Sequence, residues 1–116
     1  MFERKKIDLT IQDVVKTIEL RPRMFFGNDL NIENIEYFIL GFLAYKTSNQ
    51  VSTKIEELFH QEFHTFVSRR YLEKIDHPTS YSRVISIVEE DRQKHLQLFL
   101  ELFNEFCDLY GEIPDH

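Results

Sequence analysis

Apolar residues recur at helical spacing along most of the chain, and the pattern is interrupted at residues 21–27, 47–51 and 76–80. Ile11, Val14, Val15 and Ile18 predict a short amphipathic helix, opened by Thr10 with Asp13 in a capping arrangement and stopped ahead of Pro22. Asn31 reads as the N-cap of a second helix, in which Ile32, Ile35, Phe38, Ile39, Phe42 and Leu43 make one broad apolar face. Ser52 or Thr53 caps a third, burying Ile55, Leu58, Phe59, Phe63, Phe66, Val67 and Tyr71. After the break, Tyr81, Val84, Ile85 and Val88 fit a helix, although Val84 to Val88 is also rich enough in β-branched residues for a strand. Helix is preferred, because a lone strand leaves its ladder groups unpaired. The last helix runs from about Asp91 to Tyr110, closed by Gly111 with Pro114 beyond. The pattern predicts an all-α, single-domain compact bundle of about five helices over residues 1–116.

Two details refine that picture. The stretch Arg21-Pro22-Arg23-Met24-Phe25-Phe26-Gly27 reads as a tight turn, because Pro22 blocks helix continuation and Gly27 accepts positive φ; Met24, Phe25 and Phe26 are expected to cap the core. Gly41 and Ala44, the only alanine in the chain, would form a shallow strip on the second helix where another helix approaches closely.

At 116 residues with 42% hydrophobic content, the chain can bury a core of its own, and eleven phenylalanines make that core aromatic. No apolar run nears the roughly 20 residues of a membrane span, and the opening Met1-Phe2-Glu3-Arg4-Lys5-Lys6 precedes no signal-peptide core, so a cytoplasmic location is expected. Cys107 is the single cysteine, which excludes a disulfide or a Cys-based zinc site within one chain; its apolar neighbours predict an inert, buried thiol.

The net charge of −6 is uneven. Residues 1–27 hold six basic and four acidic groups, whereas residues 80–116 hold three basic and eight acidic ones. An acidic half repels nucleic acid and favours a basic partner. On the last helix, Leu96, Leu98, Phe99, Leu100, Leu102, Phe103, Phe106, Cys107, Leu109 and Tyr110 fill a wide arc, leaving a narrow polar stripe of Lys94, Gln97, Glu101, Asn104, Glu105 and Asp108. That stripe, joined by Glu89, Glu90 and Asp91 at the start of the helix, is the candidate partner-binding surface.

Other chemistry is thinner. His60 and His64, four residues apart on one helical face, are spaced to share a metal with His77 or His95, but Glu62 is out of place for a metalloprotease helix, and ordinary surface histidines are the preferred reading. No cofactor or metal is expected. Arg70 and His77 fit the Arg-x(4 to 6)-His spacing of the helical HEPN ribonucleases, in which histidine is the general base and arginine stabilises developing charge, although Tyr71 stands where a polar residue usually follows the arginine. Arg21 and Arg23, with Lys5 and Lys6, make a candidate phosphate patch, against which Arg21 paired with a carboxylate to hold the turn is preferred.

The turn Arg21-Pro22-x-Met24-aromatic-x-Gly27, followed by a helix with a Phe38-x-x-Gly41 step, resembles a family of small bacterial proteins with an Arg-Pro-Gly-Met-Tyr turn. Phe63-x-x-Phe66-Val67-x-x-Arg70-Tyr71 resembles that family's Phe-x-x-Trp-Val-x-x-Arg-Tyr segment, and the stretches from Tyr81 to Ile85 and from Leu98 to Phe106 fit as well. Arg23, Phe25 and Phe66 depart from the family's usual glycine, tyrosine and tryptophan. The resemblance implies an immunity protein of a bacterial toxin system such as contact-dependent growth inhibition. Such a protein is not an enzyme; it neutralises a nuclease toxin by occluding its active-site or substrate-binding surface. The alternatives are a small HEPN-like ribonuclease using Arg70 and His77, and a homodimeric scaffold.

Overall fold

The computed structural model describes residues 9–27 and 31–111. Its helices are α1 (Ile11–Leu20), α2 (Pro22–Phe26), α3 (Ile32–Ser48), α4 (Lys54–Arg70), α5 (Tyr81–Val88) and α6 (His95–Tyr110), with a 3₁₀ turn at Arg92–Lys94 leading into α6; there is no strand among the described residues. The protein is an all-α single-domain bundle, built on the five longer helices that the periodicity predicts, and residues 81–88 are helix.

Helix starts are written locally. The Thr10 hydroxyl accepts from the Asp13 amide at 3.2 Å while the Asp13 carboxylate accepts from the Thr10 amide at 3.0 Å, and Thr53 with Glu56 repeats this capping box on α4. Asn31 caps α3 by accepting from the Glu33 amide at 2.8 Å. The end of α3 is a Schellman motif, in which the amides of Gln50 and Val51 reach the Thr47 and Lys46 carbonyls and Gln50 takes φ 57°.

The expected turn is instead a short helix. Pro22 occupies its first position, where the missing N–H is harmless, and Gly27 closes it at φ 61°. Only part of this segment caps the main core: Phe26 is half-buried and packs against it, whereas Met24 is 63% exposed, and Phe25 and Phe26 both lie edge-on to Phe38 of α3 at centroid distances of 5.2 and 6.0 Å. Phe38, placed by periodicity on the buried face of α3, thus belongs to a satellite aromatic cluster and stays partly exposed.

The Gly41 and Ala44 strip is also not where a helix packs. Both residues are exposed, and a Cβ added at Gly41 would meet nothing within 4 Å. Ile32, Ile35, Ile39 and Leu43 turn to the core on the other side, because the larger apolar surface wins the buried face.

The core lies between α3, α4, α5 and α6, with Ile11 and Val15 of α1 closing one side, and its centre is aromatic. Phe59 and Phe63 stack at 4.4 Å, and Phe63 meets Tyr81 at 4.9 Å and Phe106 at 5.3 Å edge-on. Edge-to-face pairs of this kind add about 0.5–1.5 kcal/mol each beyond the area they bury. On α6, Phe99, Leu100, Leu102, Phe103 and Phe106 are buried, whereas Leu109, expected on the packed arc, is 66% exposed. Gly111 follows in a right-handed conformation at φ −71°, and Pro114 lies outside the described residues.

Helix α5 is fixed from outside itself. The Tyr81 amide donates to His64 Nδ1 of α4 at 3.1 Å, the Ser82 amide to Glu36 Oε1 of α3 at 3.2 Å, and the Arg83 amide to the Ser80 hydroxyl at 3.4 Å. Three amides that a helix start leaves without carbonyl partners are thereby satisfied by side chains.

Candidate functional site

The polar stripe of α6 follows from steps of three and four residues that avoid the buried phenylalanines. Lys94, Gln97, Glu101, Asn104 and Asp108 are exposed and Glu105 is half-buried. Within it, Gln97 Nε2 donates to Glu101 Oε1 at 3.2 Å, leaving the carboxylate facing solvent.

Glu105 is engaged differently. The Arg70 guanidinium at the end of α4 pairs with its carboxylate: Nη2 donates to Oε1 at 2.8 Å, and Nη1 lies against Oε2 as a charge contact without an aligned hydrogen bond. This charge-assisted pair links α4 to α6 and offsets the charge of Glu105. Tyr71, at the same corner, has its phenol pKa raised, chiefly by burial; Arg70 opposes the rise, and Glu105 and Glu101 add to it. The free negative charge of the stripe therefore rests on Glu101 and Asp108, beside a partly buried tyrosine and the exposed side chain of Leu109.

The acids preceding α6 divide by role. The Asp91 carboxylate accepts from the Gln93 amide at 3.0 Å and starts the 3₁₀ turn, and Glu89 accepts from the Asp91 amide at 3.1 Å. His95, buried, places Nε2 at 2.6 Å from the Glu89 carbonyl and ties the loop to α6. Glu90 is exposed.

The sequence-level histidine and arginine candidates are not assembled as their spacings envisage. His64 Nδ1 accepts the Tyr81 amide and its ring stacks on Tyr81 at 5.3 Å, whereas His60 is exposed; no group of three metal-ligating side chains converges among the described residues. Arg70 is bound to Glu105, while His77 lines a separate concavity with Lys74 and Arg83 that Arg70 does not border. Arg21 and Arg23 are exposed, and Lys5 and Lys6 lie outside the described residues.

One polar centre had no place in the sequence reading. Lys46 and Glu56 are both buried, with Lys46 Nζ 3.6 Å from Glu56 Oε1. Lys46 donates to the Leu9 carbonyl at 2.6 Å, and Glu56 accepts from the Thr53 amide at 2.8 Å and the Ile11 amide at 2.9 Å. The pair clamps the start of α1 onto α3 and α4. Periodicity carried the signal: Lys46 is in phase with Ile39 and Leu43, and Glu56 with Phe59 and Phe63.

No protein family, curated protein or solved structure matches this chain. No helix among the described residues is long and apolar enough to cross a membrane.

Proposed function

We propose that this chain is a cytoplasmic immunity protein that neutralises a nuclease toxin by binding it, without catalysis of its own. The observation that carries the reading is the solvent-facing acidic stripe of α6, in which Glu101 and Asp108 stand free beside Tyr71 and Leu109. A nuclease binds a polyanion and so presents a basic surface, which an acidic stripe complements. Long-range attraction speeds the encounter, and the tyrosine and leucine at the stripe supply apolar anchors that hold the complex. Glu101 and Asp108 are the primary contacts. Glu105 contributes through its pair with Arg70, and Glu89, Glu90 and Asp91 extend the negative field towards the start of the helix. The resemblance of the Arg21 to Gly27 segment to the immunity family points the same way.

The test pairs this chain with the C-terminal toxic domain of the protein encoded directly upstream. Wild type should co-purify with that domain, restore growth to cells expressing it, and bind more slowly as salt rises. Glu101→Lys with Asp108→Lys should lower the association rate by about tenfold or more while leaving thermal stability unchanged. Binding that ignores both the reversal and the salt would remove α6 as the interface. Absence of any complex, together with RNA cleavage lost on His77→Ala, would replace the immunity reading with the ribonuclease one.

A further inference from the structure

A second site lies away from α6, where residues 71–80 cross from α4 to α5. This crossing is held at both ends. The amides of Lys74 and Ile75 both donate to the Tyr71 carbonyl at 2.9 Å, and Ile75 is buried. Further on, the buried Ser68 hydroxyl accepts from the Thr79 amide at 3.2 Å and donates to the Thr79 carbonyl at 3.5 Å, and Ser80 caps α5. Fixed in this way, the segment shapes a concavity of about 360 Å³ lined by Lys74, Ile75, Asp76, His77, Thr79, Arg83 and Ile87.

Three basic side chains, Lys74, His77 and Arg83, border this one concavity in a protein of net charge −6, and none makes an ion pair among the described residues. Three cations elsewhere are matched, Lys16 to Glu19, Lys46 to Glu56 and Arg70 to Glu105, whereas the exposed Arg21, Arg23, Arg69 and Lys94 are scattered over other parts of the chain; what sets Lys74, His77 and Arg83 apart is that they share one hollow. Unmatched guanidinium and ammonium groups around a hollow are the donor set that a phosphate recognises, the arginine by its planar fork and the lysine as a point charge. Asp76 on the same wall repels a bare anion but accepts hydrogen bonds from hydroxyl groups. Ile87, 47% exposed, and Ile75 provide an apolar flank, and the volume exceeds what a lone phosphate fills.

We infer that this concavity binds a small sugar phosphate, with Lys74, His77 and Arg83 on the phosphate, Asp76 on sugar hydroxyls and Ile87 against the carbon skeleton. The inference does not depend on the toxin-binding role, because neither Glu101 nor Asp108 borders this hollow.

The experiment is an amide NMR titration of the whole chain with ribose 5-phosphate, inorganic phosphate and ribose as separate probes. Saturable shifts confined to the region from Lys74 to Ile87 are expected, strongest with ribose 5-phosphate and weaker with inorganic phosphate. Arg83→Gln and Lys74→Gln alter exposed side chains and should each weaken ribose 5-phosphate binding by about tenfold. Arg23→Gln, an identical charge change on α2, should alter it by less than about twofold, which separates a local site from the effect of net charge. Asp76→Asn should narrow the preference for ribose 5-phosphate over inorganic phosphate. The inference is overturned by the absence of saturable shifts, by wild-type affinity in both Arg83→Gln and Lys74→Gln, or by equal affinity for the two phosphates.

Discussion

Replacing Glu56 by glutamine tests whether the buried pair holds the bundle together. The substitution keeps the shape of a side chain that is 1% exposed, but removes the charge facing Lys46, which is 4% exposed. The amide can still accept from one of the two backbone donors, Thr53 or Ile11; its NH₂ group then opposes the other. A buried donor left unpaired costs about 1–3 kcal/mol, and removing one partner of a buried ion pair costs about 3–5 kcal/mol in total. A loss near 3 kcal/mol is a large share of the roughly 5–15 kcal/mol that holds a domain folded, and corresponds to a melting point lower by about 10 °C. Urea unfolding followed by circular dichroism at constant m-value measures it directly. Lys46→Met should also destabilise, because the buried Glu56 loses its cationic partner and the Leu9 carbonyl loses its donor. The double variant should cost less than the sum of the singles by about 1–3 kcal/mol, since the second change relieves the unpaired charge left by the first. A Glu56→Gln protein within about 0.5 kcal/mol of wild type, or strict additivity in the cycle, would show that the two side chains contribute independently and would refute the clamp.

Gln50 takes φ 57° at the end of α3, so Gln50→Gly should raise stability by up to about 1 kcal/mol, read as a higher melting point. Arg70→Ala, by contrast, removes a half-exposed pair and should lower stability by no more than about 1 kcal/mol, checked by a double-mutant cycle with Glu105→Ala. Burial, assisted by Asp108, pushes the Cys107 thiol up to about 11, against an ordinary value of 9.0. Because the thiolate is the nucleophile, native Cys107 at pH 8 should react with iodoacetamide about a hundredfold more slowly than the urea-unfolded chain, and comparable rates would contradict the burial.

The helices were readable because their information is local. Thr10 with Asp13, Asn31, and Thr53 with Glu56 cap within three residues of themselves, and the phase of Ile35, Ile39 and Leu43 follows from periodicity alone. The same locality explains the misreadings. Phe38 and Leu109 satisfy helical spacing yet sit at the edges of their apolar arcs, where exposure depends on whether a neighbouring helix reaches that far. At the candidate site, the exposed arc of α6 was legible from spacing, but the capture of Glu105 by Arg70 was not, because 35 residues separate the partners. Lys46 and Glu56 were overlooked since charged residues are assigned to the surface by default, even though both keep the phase of a buried face. Met24 was placed inside on hydrophobicity alone, and the corner at Pro22 turns it outward.

The external fixing of α5 also bears on the order in which the chain folds. Its start depends on His64, 17 residues away from Tyr81, and on Glu36, 46 residues away from Ser82. An eight-residue helix is too short to persist alone in water. Helix α5 therefore gains its amide partners only once α3 and α4 already stand side by side, so that loop closure precedes helix formation there. In hydrogen exchange, the amides of Tyr81 and Ser82 should therefore lose protection whenever α4 or α3 moves away, even though Lys46 and Glu56 join those two helices directly.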